Sequence, residues 1–280
     1  MLNTIAICGA GTMGAGIAQV AAAGGFKTIL FDTREEALPK AIAQISRNLH
    51  TAVEKGKLDA AQPAVILSRI QTVHDAQLCI ADVIIEAIVE NIPAKVALFN
   101  QLATVNRPDT IFATNTSSLS VSDIAKEIIH PERVAGMHFF NPAHLMQLVE
   151  IVSGKATDPA VADVLYALTK QLGKTPVRVK DAPGFIVNRV ARHYYLEAMQ
   201  VASDGTADLK TIDKLLEAAG FRMGPFALMD LIGNDINFAV TTSLYEAFNH
   251  APRFKPGQLQ ADKVAKGELG RKTGKGFYNY

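Results

Sequence analysis

The sequence is short of several things, and each shortage removes a class of function. It holds only two cysteines, Cys8 and Cys79, in 280 residues. That is no disulfide framework, and it suits a reducing, cytoplasmic setting. Neither sign of charge is in excess: 28 Lys and Arg stand against 27 Asp and Glu, a formal net charge of +1. No field of one sign singles out nucleic acid or a membrane surface as a partner. There is no internal repeat and no low-complexity tract, and no metal is expected. No apolar run matches the length needed to span a bilayer. The uncharged stretch from Met1 to Phe26 comes nearest, but it lacks the basic n-region of a signal peptide, and its glycines have another explanation.

What is present is ordinary in bulk: 49% apolar and 20% charged residues, as in soluble globular proteins. The length exceeds one typical core, so two domains are expected. The informative stretch is Ile5-Ala-Ile-Cys-Gly-Ala-Gly-Thr-Met-Gly14. An apolar β-run ends at Gly9, and Gly9-x-Gly11-x-x-Gly14 leads into small, helix-compatible residues. This strand–turn–helix context is what a dinucleotide fingerprint requires. Gly9 makes the tight turn, Gly11 lets a pyrophosphate approach the backbone, and Gly14 lets the helix pack on its strand. Thr12 and Met13 open the helix, whose free N–H groups and positive dipole end face the phosphates. A second apolar run, Thr28 to Phe31, ends in Asp32, where a ribose-binding acid belongs. Cys8, inside the first strand, reads as a small core residue.

Further along, a helical pattern runs through Glu35, Ala41, Ile45 and Leu49 to a break at Gly56, and resumes over 60–67. This excursion is longer than a simple crossover needs. Its polar face carries Arg47, His50, Lys55 and Lys57. Short apolar strands follow at 70–73, 82–86, 110–113 and 133–137, the last ending in His138. Pro93 suits the first turn of a helix running to about Leu102. Polar residues gather after the strand ends: Glu86 and Glu90, then Thr114-Asn-Thr-Ser-Ser118, then His138. The alternation predicts an α/β fold, a doubly wound and mainly parallel sheet, with ligands in the crevice at those ends. Strands at 148–152 and 175–179 flank a helix over 159–172. Beyond Asp181 the pattern is helical, over 184–204, 208–219, 225–248 and 258–268. The boundary is placed near Asp181–Pro183, giving a Rossmann domain over 1–182 with a helical arm at about 40–67, and a smaller all-α domain over 183–280. Surplus apolar residues in the second domain suggest a homodimer contact.

Four positions carry a catalytic argument. His138 stands at a strand's C-terminal end, where a nicotinamide would lie. Glu150 sits within an apolar strand on the pleat face of Leu148 and Val152. A buried carboxylate needs a partner, and a His bonded to one has its tautomer fixed and its basicity raised. The alternatives are a structural His and a Glu facing solvent on an edge strand. Ser117 could hydrogen-bond a substrate oxygen or cap a helix. Asn188, in Asp181-Ala-Pro-Gly-Phe-Ile-Val-Asn-Arg189, opens the first C-terminal helix and could reach a cleft between domains.

Taken together, the glycine fingerprint, Ile85-Glu-Ala-Ile-Val-Glu-Asn91, Thr114-Asn-Thr-Ser-Ser118, Met137-His-Phe-Phe-Asn-Pro142, the 181–189 segment, Met223-Gly-Pro225 and Gly270-Arg-Lys-Thr-Gly-Lys-Gly-Phe-Tyr278 resemble the 3-hydroxyacyl-CoA dehydrogenases. The resemblance covers the whole chain and is strongest to the stand-alone bacterial 3-hydroxybutyryl-CoA enzymes. It implies NAD as cofactor, an acyl-CoA substrate, His138 as base with Glu150 as its partner, and Ser117 and Asn188 on the substrate oxygen. Glu90, Lys95, Asn115, Ser117, Asn141 and Lys272 would line the nicotinamide end. The arm would grip CoA, with Lys55 the best match and Lys57 plausible from charge alone; at Asn48 some relatives carry a Ser that touches CoA. Two other readings stand beside this one: a non-catalytic, NAD-binding structural protein of the same family, and a 3-hydroxy acid dehydrogenase of the phosphogluconate type, for which no matching catalytic lysine is found. Chain length and pathway stay open among fatty-acid oxidation, butanoate metabolism and aromatic-acid breakdown.

Overall fold

The computed structural model describes residues 2–280. The chain divides into two compact units, Met1–Asp181 and Ala182–Tyr280.

The first unit begins as the glycine pattern requires. Strand β1 (Thr4–Cys8) leads through the Gly9 turn into helix α1 (Thr12–Ala23), then β2 (Lys27–Phe31). Helix α2 (Ala37–Glu54) and the short α3 (Gln62–Ser68) lead to β3 (Ile70–Val73). Strand β4 (Val83–Glu86), helix α4 (Ile92–Val105) and β5 (Ile111–Thr114) continue the alternation. A short helix α5 (Val121–Ala125), β6 (Val134–Phe139), β7 (Leu148–Ser153), α6 (Pro159–Gln171) and β8 (Thr175–Lys180) complete the unit.

The eight strands form one sheet in the order β3-β2-β1-β4-β5-β6-β7-β8. The first six follow the order of a dinucleotide-binding Rossmann sheet, which reverses between β1 and β4. All pairings are parallel except β6 with β7. The central strands are apolar without alternation, as strands covered on both faces must be. Ile5, Ile7, Leu30, Val83, Ile85 and Ala113 all lie in one buried cluster with the apolar faces of α1, α2 and α6. Local caps set the helix starts. Asn91 accepts from Ala94 N–H at the head of α4, Ser120 from Asp123 N–H at α5, and Asp158 from Ala160 N–H at α6, each relieving an orphan donor.

Three features refine the expected elements. The arm is anchored: Ala41, Ile45 and Leu49 of α2 are buried in the main core, so only its outer face is available to a ligand. Helix α5 was not foreseen; at five residues it is too short to show a period. Strand β6 extends through His138 to Phe139, because β7 supplies a partner for both.

The second unit is helical: α7 (Val187–Ser203), α8 (Leu209–Ala218), α9 (Pro225–Ile232), α10 (Asn234–Ala247) and α11 (Gln258–Ala265). The helix expected over 225–248 is two, because Gly233 has φ +104°, a value outside the right-handed helix and open mainly to glycine. Helix α7 starts three residues later than expected, after Phe185 at φ +50°. Tyr195, Met199, Ile212, Phe226 and Met229 form the core. Buried Asp230 staples the chain's last segment, accepting from the N–H groups of Phe277 and Tyr278 and from Tyr280 Oη. On this unit Val190, Leu215, Phe221, Leu231 and Ile236 are exposed. Among the described residues no helix is long and apolar enough to cross a membrane.

Candidate active site

The glycine loop has the geometry its composition implies. Gly9 has φ +106°, and a Cβ there would meet the Ala87 carbonyl at 2.6 Å. A Cβ on Gly14 would collide with the Gly9 carbonyl, whereas nothing lies within 4 Å of one on Gly11. So Gly9 and Gly14 serve packing, and Gly11 keeps an approach to the backbone open. The N-terminus of α1 has no side-chain cap, which leaves the first N–H groups of Thr12, Met13 and Gly14 for an anion.

Asp32 follows β2 and is buried at 7% exposure. Its Oδ2 accepts from Ala10 N–H at 2.8 Å, and Oδ1 accepts from Arg34 N–H at 2.9 Å and Arg34 Nε at 3.2 Å. Burial pushes this carboxyl up, but the Arg34 side chain and the two N–H donors outweigh it and hold it below the usual range. The acid expected to face a ribose thus also ties the glycine loop to β2.

Antiparallel pairing of β6 and β7 sets His138 directly opposite Glu150. Directly opposed side chains in such a pair share a face, and His138 Nδ1 lies 2.8 Å from Glu150 Oε2. Both are buried, at 5% and 1% exposure. A carboxylate that is ionised only accepts, so this contact suits the tautomer with its proton on Nδ1. The Phe140 ring lies against the imidazole, centroids 4.4 Å apart. Glu150 is flanked by β6 and β8, so it is on no edge strand.

Two further side chains, Asn115 and Glu90, shape the neighbouring loop. Asn115 Oδ1 accepts from Phe139 N–H at 2.8 Å, joining the end of β5 to that of β6. Glu90 Oε1 accepts from the Thr116 hydroxyl, from Ser117 N–H at 3.0 Å and from the Ser118 hydroxyl at 3.2 Å, and its Oε2 lies 3.2 Å from Lys95 Nζ. Burial pushes Glu90 up, but Lys95 and the Thr116 and Ser117 donors pull it below its ordinary value. The strand ends therefore bring Glu90, Lys95, Asn115, Ser117 and the His138–Glu150 pair to one edge of the sheet. Asn141 is exposed and precedes Pro142 through a cis peptide bond.

The other expected positions belong to other elements. Asn188 opens α7 in the helical unit, with its carbonyl accepting from Arg192 Nε at 3.2 Å. Lys272, in the same unit, is ion-paired with Asp235 at 2.6 Å. On the arm, Lys55 and Lys57 are exposed. Asn48 is half-buried and engaged, donating to Gln19 Oε1 at 3.0 Å and accepting from Gln44 Nε2 at 2.8 Å. Glu86 and Asp181 carried no assigned role in the sequence. Asp181 accepts from Ser120 Oγ and from the N–H groups of Val121 and Ser122, and Glu86 is taken up below. For Glu86 the available signal was a lone acid closing an otherwise apolar strand. Among the described residues no cluster of three or more His, Cys, Asp or Glu could hold a metal.

Comparison with known proteins gives a consistent result. Residues 4–182 match the family model described as 3-hydroxyacyl-CoA dehydrogenase, NAD binding domain, and residues 184–280 match its C-terminal domain. The chain is 50% identical over 281 residues to the 3-hydroxyadipyl-CoA dehydrogenase of Escherichia coli, an alignment that takes in all of this chain and 59% of that protein. It therefore spans well under two thirds of that relative's length. It is 41% identical to a 3-hydroxybutyryl-CoA dehydrogenase of Clostridioides difficile, with 99% of each chain covered. The crystal structure of (S)-3-hydroxybutyryl-CoA dehydrogenase from Ralstonia eutropha superposes with a TM-score of 0.95 at 39% identity, covering 100% of this chain and 99% of that one.

Proposed function

This chain belongs to the 3-hydroxyacyl-CoA dehydrogenase family, whose NAD-binding domain it carries, and from that premise we propose that it oxidises an (S)-3-hydroxyacyl-CoA to the 3-ketoacyl-CoA with NAD, and runs the reverse reduction. The observation that carries the proposal is the buried His138–Glu150 pair at 2.8 Å. When bound, NAD supplies the hydride acceptor. His138 Nε2 takes the hydroxyl proton as C3 gives up its hydride, so the C–O bond becomes C=O. Glu150 holds the imidazole in the required tautomer and stabilises the imidazolium that forms. Ser117 hydrogen-bonds the oxygen, a role that the family resemblance also gives to Asn188. The Gly9–Gly14 loop takes the pyrophosphate and Asp32 the ribose, while Glu90, Lys95, Asn115 and Asn141 serve the nicotinamide end, a role that the family resemblance also gives to Lys272.

We assign a short acyl chain, 3-hydroxybutyryl-CoA or one near it, on the relatives' names. The E. coli relative is named for a dicarboxylic acyl chain, so 3-hydroxyadipyl-CoA is the competitor to beat. A panel of both thioesters, longer homologues and free 3-hydroxy acids, followed by NADH formation, decides the matter. The expected ranking of kcat/KM puts a short thioester first and free acids last. Turnover of free acids alone would move the chain to the phosphogluconate type, and no turnover at all would favour a structural role.

The same assay tests the arm. Lys55→Ala and Lys57→Ala should raise KM for acyl-CoA more than KM for NAD, because exposed ammonium groups attract the phosphates of CoA. The effect should shrink at high salt, where exposed charges are screened. An unchanged acyl-CoA KM at low salt would make these lysines ordinary solvated residues. The exposed apolar side chains of the helical unit support a homodimer through that unit; a monomer's mass by light scattering would end that part of the reading.

A further inference from the structure

Glu86, the last residue of β4, is wholly buried, as is Thr114 across from it at the end of β5, while Lys95 of α4 is 1% exposed. Glu86 Oε1 accepts from Lys95 Nζ at 2.6 Å and from Ile88 N–H at 2.7 Å, and Oε2 accepts from the Thr114 hydroxyl at 2.8 Å. An ion taken out of water is costly unless paired and hydrogen-bonded, and here three donors satisfy the carboxylate. The ammonium reaches onward to Glu90 Oε2 at 3.2 Å. Glu90 in turn accepts from Ser117 N–H and from the Thr116 and Ser118 hydroxyls. One chain of contacts thus runs from Glu86 and Lys95, both buried, out to Glu90 and Ser117 nearer the surface.

Its position matters. Glu86 lies beside Cys8 in the parallel register, one residue before the glycine turn. Its grip on Ile88 N–H shapes the same loop whose Ala87 carbonyl leaves no room for a side chain at Gly9. A single carboxylate therefore holds three segments at the sheet's ligand edge: the loop after β4, the first turn of α4 and the end of β5.

We infer that Glu86 is a positioning residue for the dehydrogenase reaction, acting through Lys95 to hold Glu90 and the Ser117 loop in place for NAD. It is distinct from the catalytic residues, since its three partners enclose it and no face is left for a ligand. The inference rests on the proposed function, in which Glu90, Lys95 and Ser117 border the cofactor. The physical demand is alignment: a displacement of about 1 Å in a supporting group can cost on the order of a hundredfold.

The test uses the whole protein and NADH fluorescence titration, a readout independent of turnover. Glu86→Gln keeps the shape and removes the charge, and should raise the NADH Kd about tenfold or more, because taking one partner from a buried ion pair leaves the Lys95 ammonium poorly compensated and its loop displaced. The double variant Glu86→Gln/Lys95→Met should be no worse than Lys95→Met alone, because residues in one network are non-additive. Fully additive losses, or a Glu86→Gln Kd within twofold of the parent, would overturn the inference. Should Glu86→Gln fail to fold, Thr114→Val removes one donor and leaves the ion pair intact; it should weaken NADH binding severalfold, and an unchanged Kd overturns the inference equally. Failure of the parent protein to bind NADH would sink the dehydrogenase reading itself, an outcome separate from parent binding that the variants leave unaltered.

Discussion

Replacing His138 by Gln is expected to leave a folded, NAD-binding protein whose kcat is lower by roughly 10²–10⁴, the usual worth of general acid–base catalysis. The amide fills similar space but has no basic nitrogen to take the hydroxyl proton. Glu150→Gln should be nearly as damaging, although in the proposed mechanism Glu150 acts only through the imidazole. An amide has no negative charge to stabilise the imidazolium. It also offers Nδ1 an N–H as readily as a carbonyl, so the tautomer with a basic Nε2 is no longer enforced. Both side chains are buried, so solvent does not replace the lost partner. In the proposed mechanism the two residues work as one unit, so the double variant should lose little more than His138→Gln alone. A double-mutant cycle on kcat measures this directly. Additive losses, or near-normal kcat in Glu150→Gln, would reduce Glu150 to a strand residue with a satisfied hydrogen bond.

The second large effect concerns the choice of cofactor. NAD should be used in strong preference to NADP, because Asp32 would meet the 2′-phosphate as a like charge. At about 4 Å and an effective dielectric near 20, that repulsion is on the order of 4 kcal/mol. Arg34 offsets part of it through its pair with Asp32 at 3.2 Å, but its side chain is 63% exposed, so solvent weakens the compensation. Even half the repulsion exceeds a tenfold preference. Since its hydrogen bonds hold Asp32 below the usual carboxylate range, the preference should persist into mildly acidic solution. Asp32→Asn is the informative variant: its carbonyl can still accept from Ala10 N–H, so the glycine loop keeps its tie while the charge is gone. The NAD to NADP ratio of kcat/KM should fall about tenfold or more in that variant. Equal kcat/KM for the two cofactors in the unaltered protein would refute the role given to Asp32.

Much of the site was legible along the chain. Glycine sterics dictate the turn after Cys8, and strands with two buried faces announce themselves as short apolar runs, so the polar residues at their ends stand out. The two-residue period of a strand is enough to assign Glu150 to the face of Leu148 and Val152. These are local properties, settled by backbone sterics and side-chain direction within a few residues. What the tertiary structure decided is pairing across distance. That β7 runs antiparallel to β6, in the register that opposes Glu150 to His138, follows from how the sheet closes and from no period within either strand. The two helices at 225–248 divide because Gly233 takes a left-handed φ that packing selects. Asn48 is turned to Gln19, 29 positions away. Glu86, Lys95, Glu90 and Ser117 become one network only when β4, α4 and the loop after β5 converge. Buried charges must find partners wherever the fold supplies them, and the partner's place along the chain carries no local signal.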